Sequence, residues 1–393
     1  MNNIEEIKVE LEQMKSDIIE FTKKFIQIRS FTGKEAEATK LVANKMKELG
    51  YDEVIVDSYG NVLGRIGSGK TKILYDAHMD VVEAKDEADW IYPPFAAEIH
   101  DDIIYGRGTV DTKSAVISMI YTGYLVKKLG LCNDKTIYIS ASVMEEDFDG
   151  ELLYRVIKEN NLKLDYVVIG EPSNLQIALG HRGRAMYKIT TLGVSAHGSA
   201  PEKGDNAIYK MAKILERIEN KQKEFDKLEG EKGSIVVSNI EARTASLNAV
   251  PDMCTIYIDR RLALGETEDK VNKEMESFVD GIDAKYEIYV AEGVSQTGKE
   301  VTLRTFLPAW EISKDAYLTK IAIKSFEECF NAEAPLFKWP FATNGFATNG
   351  EIKVPTIGFG PGDLKLAHMK DERCHLEDLY KTITFYTSVA KNC

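Results

Sequence analysis

The segments ILYDAHMDVV (residues 73–82), TIYISASVM (136–144) and DYVVIGE (165–171) decide the fold of this chain. Each is a short and nearly continuous apolar run, and helical patterns such as DTKSAVISMIYTGYLVKKLG (111–130) lie between them. Strands that are apolar on both faces and alternate with helices are typical of a parallel sheet covered on both sides. We therefore predict an α/β fold with a mixed, mostly parallel sheet flanked by helices.

The sequence pattern changes after residue 180. RAMYKITTLGV (184–194) alternates apolar and polar residues, as a half-exposed strand does, and a helix, two strands, a helix and a strand follow. This β-α-β-β-α-β order predicts an α+β sandwich at residues 181–294, inserted into a discontinuous domain formed by residues 1–180 and 295–393. A chain of 393 residues is also long for one hydrophobic core.

Helical periodicity predicts further helices near residues 4–30, 34–49, 267–280 and 315–330, and at the C-terminal end of the chain. Thr32 is the predicted cap of the second helix and Gly50 its end. The duplicated FATNGFATNG (341–350) is too short to be an architectural repeat.

Composition disfavours several classes of protein. The net charge of −13 argues against a nucleic-acid partner or an anionic membrane surface. No segment approaches the ~20 apolar residues of a membrane span, and the charged N-terminus lacks a signal-peptide pattern. The five cysteines show no CxxC spacing, so we expect reduced thiols and a cytoplasmic protein.

Two histidines and three carboxylates follow the apolar runs of the outer segments. They are His78, Asp111, Glu146, Glu171 and His368. Open α/β sheets bind their ligands at the carboxyl ends of the strands, where these residues are expected. This mixture of imidazole and carboxylate suits two divalent cations such as zinc, cobalt or manganese, and residue types alone do not choose among them.

Other residues support this metal-site hypothesis. Glu145 precedes Glu146 and offers a spare carboxylate, which metal-assisted hydrolysis needs as a base. Asp80, two residues after His78, is a candidate to orient that imidazole. Asp111 has two carboxylate oxygens and could therefore bridge two cations.

Nine motifs in this order resemble the M20 family of dinuclear metallohydrolases, which includes acetylornithine deacetylase, succinyl-diaminopimelate desuccinylase, aminoacylase, carboxypeptidases and dipeptidases. The motifs are AHMDVV, DWIYPPFAAEI, IYGRGTVDTK, MEEDFDG, GEPS, GVSAHGSAPEKGDNAI, LNAVPD, DRRLALGE and FGPGDLKLAH. Within the family the chain is most similar to a subgroup described as selenium-metabolism-linked hydrolases. The resemblance implies a zinc-peptidase-like fold with an inserted lid or dimerisation domain.

The resemblance also implies roles for the residues of the outer segments. Asp111 would bridge two divalent metal ions, zinc in the first place and cobalt or manganese as alternatives. His78 and Glu171 would complete the site of one ion, and Glu146 and His368 that of the other. Glu145 matches the general base, and Asp80 matches the acid that orients a histidine.

In the insert, the resemblance implies that His197 reaches an active site, often that of a partner subunit, where it stabilises an oxyanion. It therefore also implies that the chain forms a homodimer through the inserted domain. Asn248 and Arg261 match substrate-contacting positions, with Arg261 offering a fork for a carboxylate. A loop near the substrate matches Thr343, Asn344 and Gly345, or else the second copy, Thr348, Asn349 and Gly350.

The implied activity is hydrolysis of the amide bond of an N-acyl amino acid or a similar small molecule. A dipeptidase or aminopeptidase of the same family is the main alternative, and a metal-poor, non-hydrolytic binding or scaffold protein is a further one. Plainer interpretations also stay open for single residues: a structural loop position for His197, an interface ion pair for Arg261, and a hinge role for His181 and Arg182.

Overall fold

The computed structural model describes residues 3–393, which divide into two compact units. The first unit comprises the chain up to His181 together with residues 292–302 and 311–393, and the second comprises residues 182–291 and 303–310. The division proposed from sequence assigned residues 303–310 to the outer domain. They belong to the second unit because Phe306 and Leu307 pair with Ala185 and Arg184.

The elements of the chain up to His181 are α1 (Asn3–Ile26), α2 (Ala36–Glu48), β1 (Glu53–Val56), β2 (Val62–Gly67), β3 (Thr71–His78), β4 (Glu98–His100), β5 (Ile103–Tyr105), α3 (Lys113–Lys128), β6 (Lys135–Ser142), α4 (Glu145–Phe148), α5 (Glu151–Glu159), β7 (Tyr166–Ile169) and β8 (Ile177–His181). The middle of the chain contains β9 (Gly183–Leu192), α6 (Ala207–Asp226), β10 (Ser234–Arg243), β11 (Met253–Leu262), α7 (Glu268–Val279), β12 (Ala284–Ile288), β13 (Val290–Val294), β14 (Glu300–Arg304), β15 (Phe306–Leu307) and β16 (Trp310–Glu311). The last part contains α8 (Tyr317–Phe330), β17 (Leu336–Trp339), β18 (Thr356–Gly358), β19 (Arg373–His375) and α9 (Leu376–Asn392).

The central sheet has the strand order β1-β2-β6-β3-β7-β18-β8-β16, with β17 also paired to β8. The four middle strands, β6, β3, β7 and β18, run parallel to one another. Most of the residues of β3 and β6 are buried, as the apolar runs predict, and α3 packs against both strands. The predicted mixed, mostly parallel sheet flanked by helices is confirmed.

Helix α5 shows how this sheet is covered. It buries Leu153, Val156 and Ile157, which join a cluster of apolar residues that includes Leu74 and Trp339. Truncating one such buried side chain to alanine typically costs about 2–5 kcal/mol. The strands that end at the candidate site are therefore held by a well-packed core.

The second unit has the predicted β-α-β-β-α-β order. Its sheet runs β10-β11-β9-β12, and residues alternate between buried and half-buried along β9. Helix α6 begins after Asn206, whose side chain accepts hydrogen bonds from two backbone N–H groups of the first turn. The helix buries Met211, Ile214 and Ile218 against the sheet.

One detail of the first unit differs from the sequence-based expectation. Helix α2 begins after Glu35, so Thr32 is not its cap; the Thr32 hydroxyl instead donates to the Asp80 carboxylate at 3.0 Å. Within residues 3–393, no helix is both long enough and apolar enough to cross a membrane.

Candidate metal centre

The parallel middle strands bring four of the candidate residues to one edge of the sheet. His78 is the last residue of β3, and Glu171 follows the end of β7 by two positions. Glu145 and Glu146 open the short helix α4, three and four residues after β6. Because parallel neighbouring strands end on the same side, their last residues lie close together.

Two further candidates reach this edge on loops. Asp111 precedes α3, and the Asp111–Thr112 peptide bond is cis. The Thr112 hydroxyl donates to the backbone carbonyl of His78 at 3.0 Å, which joins the Asp111 loop to the end of β3. His368 lies in the irregular segment between β18 and β19 and is exposed.

The carboxylate of Asp111 lies between the two histidines. Its Oδ1 is 3.0 Å from His78 Nε2, and its Oδ2 is 3.1 Å from His368 Nε2. His368 Nε2 is also 2.9 Å from Glu146 Oε2. One carboxylate thus faces two imidazoles through different oxygens, which is the arrangement that a bridging ligand requires.

Glu145 and Glu171 approach the same ring nitrogen of His78 as Asp111 does. Their nearest oxygens are 3.7 Å and 3.8 Å from His78 Nε2. One ligand atom each from His78, Glu145 and Glu171 lie within 4.8 Å of one another, and so do atoms from His78, Asp111 and Glu146. The five predicted ligands and the predicted base therefore lie in one cluster.

The four carboxylates of the cluster, those of Asp111, Glu145, Glu146 and Glu171, perturb one another. Burial, together with the negative charges nearby, raises the pKa of Glu145 and of Glu171 well above the usual range. Burial and the charge of Asp111 raise the pKa of Glu146 to about 7. Burial alone would raise the pKa of Asp111 too, but the hydrogen bonds from His368 and His78 hold it below its ordinary value.

The two imidazoles respond in the opposite way. Burial disfavours the charged form of His78, but the charge of Glu145 and the hydrogen bond to Asp111 raise its pKa well above the usual value. Hydrogen bonds to Asp111 and Glu146 raise the pKa of His368 to about 10. The ion pairs of the cluster are thus between carboxylates and imidazolium groups.

This donor set fits divalent cations. Four carboxyl groups and two imidazoles share a largely buried place, where the ionised carboxylates are costly unless protons or a cation balance their charge. Oε1 of Glu146 is buried and has no hydrogen-bond partner among the described residues, so it is free to act as a ligand atom. Imidazole and carboxylate are ligands that zinc, cobalt and manganese accept.

Asp80 connects His78 to the two glutamates. His78 Nδ1 lies 3.0 Å from the backbone carbonyl of Asp80 and 3.5 Å from its carboxylate, so the shorter contact that orients the imidazole is made by the main chain. The Asp80 carboxylate accepts the N–H groups of Glu145 and Glu146, each at 3.0 Å. It therefore holds the start of α4 beside the end of β3.

The residues of the 343–345 loop are buried. The Thr343 N–H donates to His181 Nδ1 at 2.8 Å, and the Asn344 side-chain amide donates to Asp76 at 2.7 Å and to Ser142 at 3.0 Å. Each of these contacts ties the loop to a neighbouring strand. The second copy, Thr348–Gly350, lies in a π-helical segment (Phe346–Ile352).

The candidates of the second unit are more open. His197 and Asn248 are exposed and lie on two adjacent loops, joined by the Gly198 N–H, which donates to the Asn248 carbonyl at 2.6 Å. Arg261 pairs through Nε and Nη2 with both oxygens of Asp259 on the same strand, at 2.8 and 3.0 Å. One edge of its guanidinium is thus already occupied.

Sequence reasoning missed three buried residues that support the cluster. Glu35 accepts the N–H of Met144, directly before α4. Arg107 and Glu372 form an ion pair beside the Asp111 and His368 loops. The spacing was a possible signal, since Arg107 lies four residues before Asp111 and Glu372 lies four residues after His368. Charged residues are common near these positions, however, so the sequence alone does not single out either one.

Carboxylates and histidines that cluster at the C-terminal ends of parallel strands in an α/β sheet are typical of the metal centre of a metallohydrolase. The model of Peptidase family M20/M25/M40 matches residues 74–392. The chain belongs to this family, which confirms the resemblance seen in the motifs. It is an enzyme of the metal-dependent class that hydrolyses amide bonds.

Similar proteins cover nearly the whole chain. The protein YgeY of Escherichia coli (strain K12) is 34% identical over 378 residues, which cover 95% of this chain and 94% of that protein. A succinyl-diaminopimelate desuccinylase of Wolbachia pipientis subsp. Culex pipiens (strain wPip) is 26% identical, with coverages of 96% and 94%. The crystal structure of the M20 family metallo-carboxypeptidase Sso-CP2 from Sulfolobus solfataricus superposes with a TM-score of 0.75 at 18% identity, covering 95% of this chain and 98% of that one.

Proposed function

We propose that this enzyme cleaves the amide bond of an N-acyl amino acid or a similar small molecule, with two divalent metal ions, zinc in the first place, and Glu145 as the general base. The observation that carries the proposal is the position of Asp111, whose two oxygens face His78 and His368 separately. The similarity to a succinyl-diaminopimelate desuccinylase supports an acyl group as the part that is removed.

The same geometry supports the ligand assignment that the family resemblance implies. His78 and Glu171 would hold one ion, Glu146 and His368 the other, and Asp111 both. When bound, two such cations polarise the scissile carbonyl and lower the pKa of water.

Glu145 would transfer the proton. It is buried beside His78, and Asp80 fixes the backbone of its helix. A carboxylate held in this way can accept a proton from the attacking water and deliver it to the leaving amine. We propose that Asp80 fixes the relative positions of His78 and Glu145.

His197 would stabilise the oxyanion. Its Nδ1 accepts the N–H of Ser199 at 3.1 Å, which leaves Nε2 to donate a hydrogen bond. The imidazole is exposed and is therefore accessible to a ligand. Asn248 beside it, Arg261, and the loop Thr343-Asn344-Gly345 would contact the rest of the substrate.

We also propose a homodimer through the second unit. Strand β10 is the edge of its sheet, and Val236 and Ile240 on it are 57% and 50% exposed. An unpaired edge strand that carries apolar side chains is suited to pairing with another copy. The five cysteines are free, which fits the reducing conditions of the cytoplasm, where we propose that the enzyme works.

The dimer can be tested at its edge strand. Ile240→Lys should shift the protein to a monomer in sedimentation velocity, because it places a charge in the contact. Val56→Lys is the matched control, since Val56 is 47% exposed on the edge strand β1 of the other sheet. A dimer that survives Ile240→Lys would contradict β10 as the interface.

The reaction is tested by a substrate panel on the metal-loaded enzyme. N-acetyl and N-succinyl amino acids should be turned over faster than dipeptides with the same leaving amine. Turnover of dipeptides alone would replace the deacylase with the dipeptidase or aminopeptidase alternative. Less than one equivalent of bound metal, and no hydrolysis after reconstitution with zinc, cobalt or manganese, would favour a binding or scaffold protein instead.

A further inference from the structure

Two of the five proposed ligands are not placed by regular secondary structure. His78 and Glu171 follow strands of the central sheet directly, and Glu146 is in a helix whose backbone Asp80 holds. Asp111 and His368 lie on loops, and His368 is the exposed member of the set. Their separation must therefore be fixed by contacts other than strand pairing.

The carboxylate of Glu372 lies at the centre of such contacts. It is fully buried, and its Oε1 accepts three backbone N–H groups, from Gly108 at 3.1 Å, Val110 at 2.7 Å and Asp111 at 3.0 Å. One of the three is the N–H of the bridging residue itself. Convergent N–H groups of this kind form a site for an anion, here an internal one.

The second oxygen of Glu372 extends the contact to the other loop. Its Oε2 accepts Nη1 of Arg107 at 2.6 Å. The Arg107 guanidinium also donates to the backbone carbonyls of His368 at 3.4 Å and Met369 at 3.3 Å. Arg107 is itself buried and lies over the Trp90 ring, at 5.1 Å from its centroid.

We propose that the Arg107–Glu372 pair positions two ligand loops: it sets the separation of Asp111 and His368. It thereby determines the affinity for the second metal ion, the one that Glu146 and His368 would hold. The inference rests on the proposed metal site. Glu372 holds the backbone of one ligand loop and Arg107 that of the other, so the pair joins two loops that are more than 250 positions apart in the chain. Neither residue touches a reacting group.

The chemistry of the pair explains why these residue types are needed. A carboxylate can accept three N–H groups on one oxygen and a guanidinium on the other, since it is an acceptor at both. In Glu372→Gln one side of the side chain becomes an NH₂ donor, which must face either the N–H groups or Arg107. The variant keeps the size of the residue and breaks one side of the contact.

The test uses cobalt as the probe, because Co²⁺ absorbs visible light according to its coordination. Metal-free full-length protein is titrated with Co²⁺ and the absorption is followed, with the number of bound ions measured by equilibrium dialysis. The wild type should bind two ions per chain. Glu372→Gln should bind the first ion nearly as well and the second about 10–100-fold more weakly, the usual effect of residues that orient metal ligands.

Two variants separate positioning from a loss of folding. Arg107→Lys keeps the charge but not the planar fork, so it should weaken the second site in the same direction. The double variant Arg107→Lys/Glu372→Gln should lose little more than the stronger single variant, because both act through one contact. Thermal unfolding in chelator checks that each variant is folded at the temperature of the titration.

The matched control is Glu266→Gln in the second unit. Glu266 is likewise a buried carboxylate that pairs with a buried arginine, Arg260, at 2.7 Å and accepts a backbone N–H, that of Ala263, at 2.8 Å. The Glu266→Gln variant should have a lower unfolding temperature and unchanged cobalt binding.

A weakened metal site can be refilled by mass action. Raising the metal concentration should therefore restore kcat in Glu372→Gln.

The outcomes are distinct. If the wild type binds no cobalt, the proposed metal site is wrong, and this inference with it. If the wild type binds two ions and Glu372→Gln binds both with the same affinity and spectrum, the positioning role alone is overturned. If Glu266→Gln weakens the second ion as much as Glu372→Gln does, the effect is one of general stability and the proposal is also overturned.

Discussion

The candidate residues of the first unit and those of the second differ in what surrounds them. In the first, Asp111 lies 3.0 Å from His78 and 3.1 Å from His368, and His368 lies 2.9 Å from Glu146. Strand ends and buried hydrogen bonds hold the backbones of these residues. In the second, His197 and Asn248 are exposed, and their side chains bond only to near neighbours in sequence among the described residues.

This difference separates two kinds of functional residue. The first group assembles a charge distribution that is unfavourable without cations, so its chemistry can be inferred from one unit alone. The residues of the second group form no such charged cluster, so their function depends on a substrate or on another copy of the chain. Substitutions in each group test this division.

Glu145→Gln should have the largest effect. The amide keeps the shape of the side chain but cannot accept a proton, so kcat should fall by about 10²–10⁴ while two metal ions remain bound. Steady-state kinetics and metal analysis measure the two quantities. Asp147→Asn, the same chemical change at an exposed residue of α4, is the control and should stay near the wild type.

Should Glu145→Gln retain near wild-type activity, the base would have to be another group. Should it lose one metal ion, Glu145 would be a ligand, which its position within 4.8 Å of His78 and Glu171 allows.

His197→Ala should lower kcat by about 10²–10³, the range for loss of one oxyanion donor, and leave the metal content unchanged. Mixing this variant with Glu145→Gln tests whether His197 acts in trans. Random exchange would place half of the chains in mixed dimers with one complete site of two, so about a quarter of the wild-type activity should return. No recovery, with subunit exchange shown independently, would place His197 in its own chain's site.

Metal binding should depend on pH. In the metal-free protein the pKa of His368 is raised to about 10 by Asp111 and Glu146, and that of Glu146 is raised to about 7 by burial and Asp111. Each imidazole must lose its proton to bind a cation, so affinity should fall about tenfold per pH unit, for each proton displaced, as the pH drops below about 10.

Calorimetric titration with zinc in two buffers of different ionisation enthalpy measures these protons. More than one proton should be released for the pair of ions. His197→Ala should release the same number, because His197 is not in the cluster. A heat of binding that does not vary with the buffer would contradict the protonation states assigned to the histidines.

Much of this could be predicted from the sequence, and the reason is physical. The apolar runs of β3, β6 and β7 are local signals, and a parallel sheet aligns their ends, so His78, Glu146 and Glu171 were placed correctly at that edge. The pairing of β15 with β9 and the contacts of Glu372 with the Asp111 loop could not be predicted, because they join residues more than 100 positions apart. No local pattern specifies such partners.

Asn344 can be assigned to either group. The resemblance implies that it contacts the substrate, but the structure buries its side chain, which donates to Asp76 and Ser142. Asp76 is 268 positions away in the chain. Asn344→Ala removes two buried hydrogen bonds and should lower the free energy of unfolding by about 1–3 kcal/mol. Because the lost contacts are internal, kcat/KM should change by less than about tenfold well below the unfolding temperature. Asn349→Ala, the same change in the second copy of the repeat, is the control, since the Asn349 amide donates a long hydrogen bond, 3.4 Å, to the Val354 carbonyl. A large loss of kcat/KM with unchanged stability would move Asn344 into the group that serves the substrate.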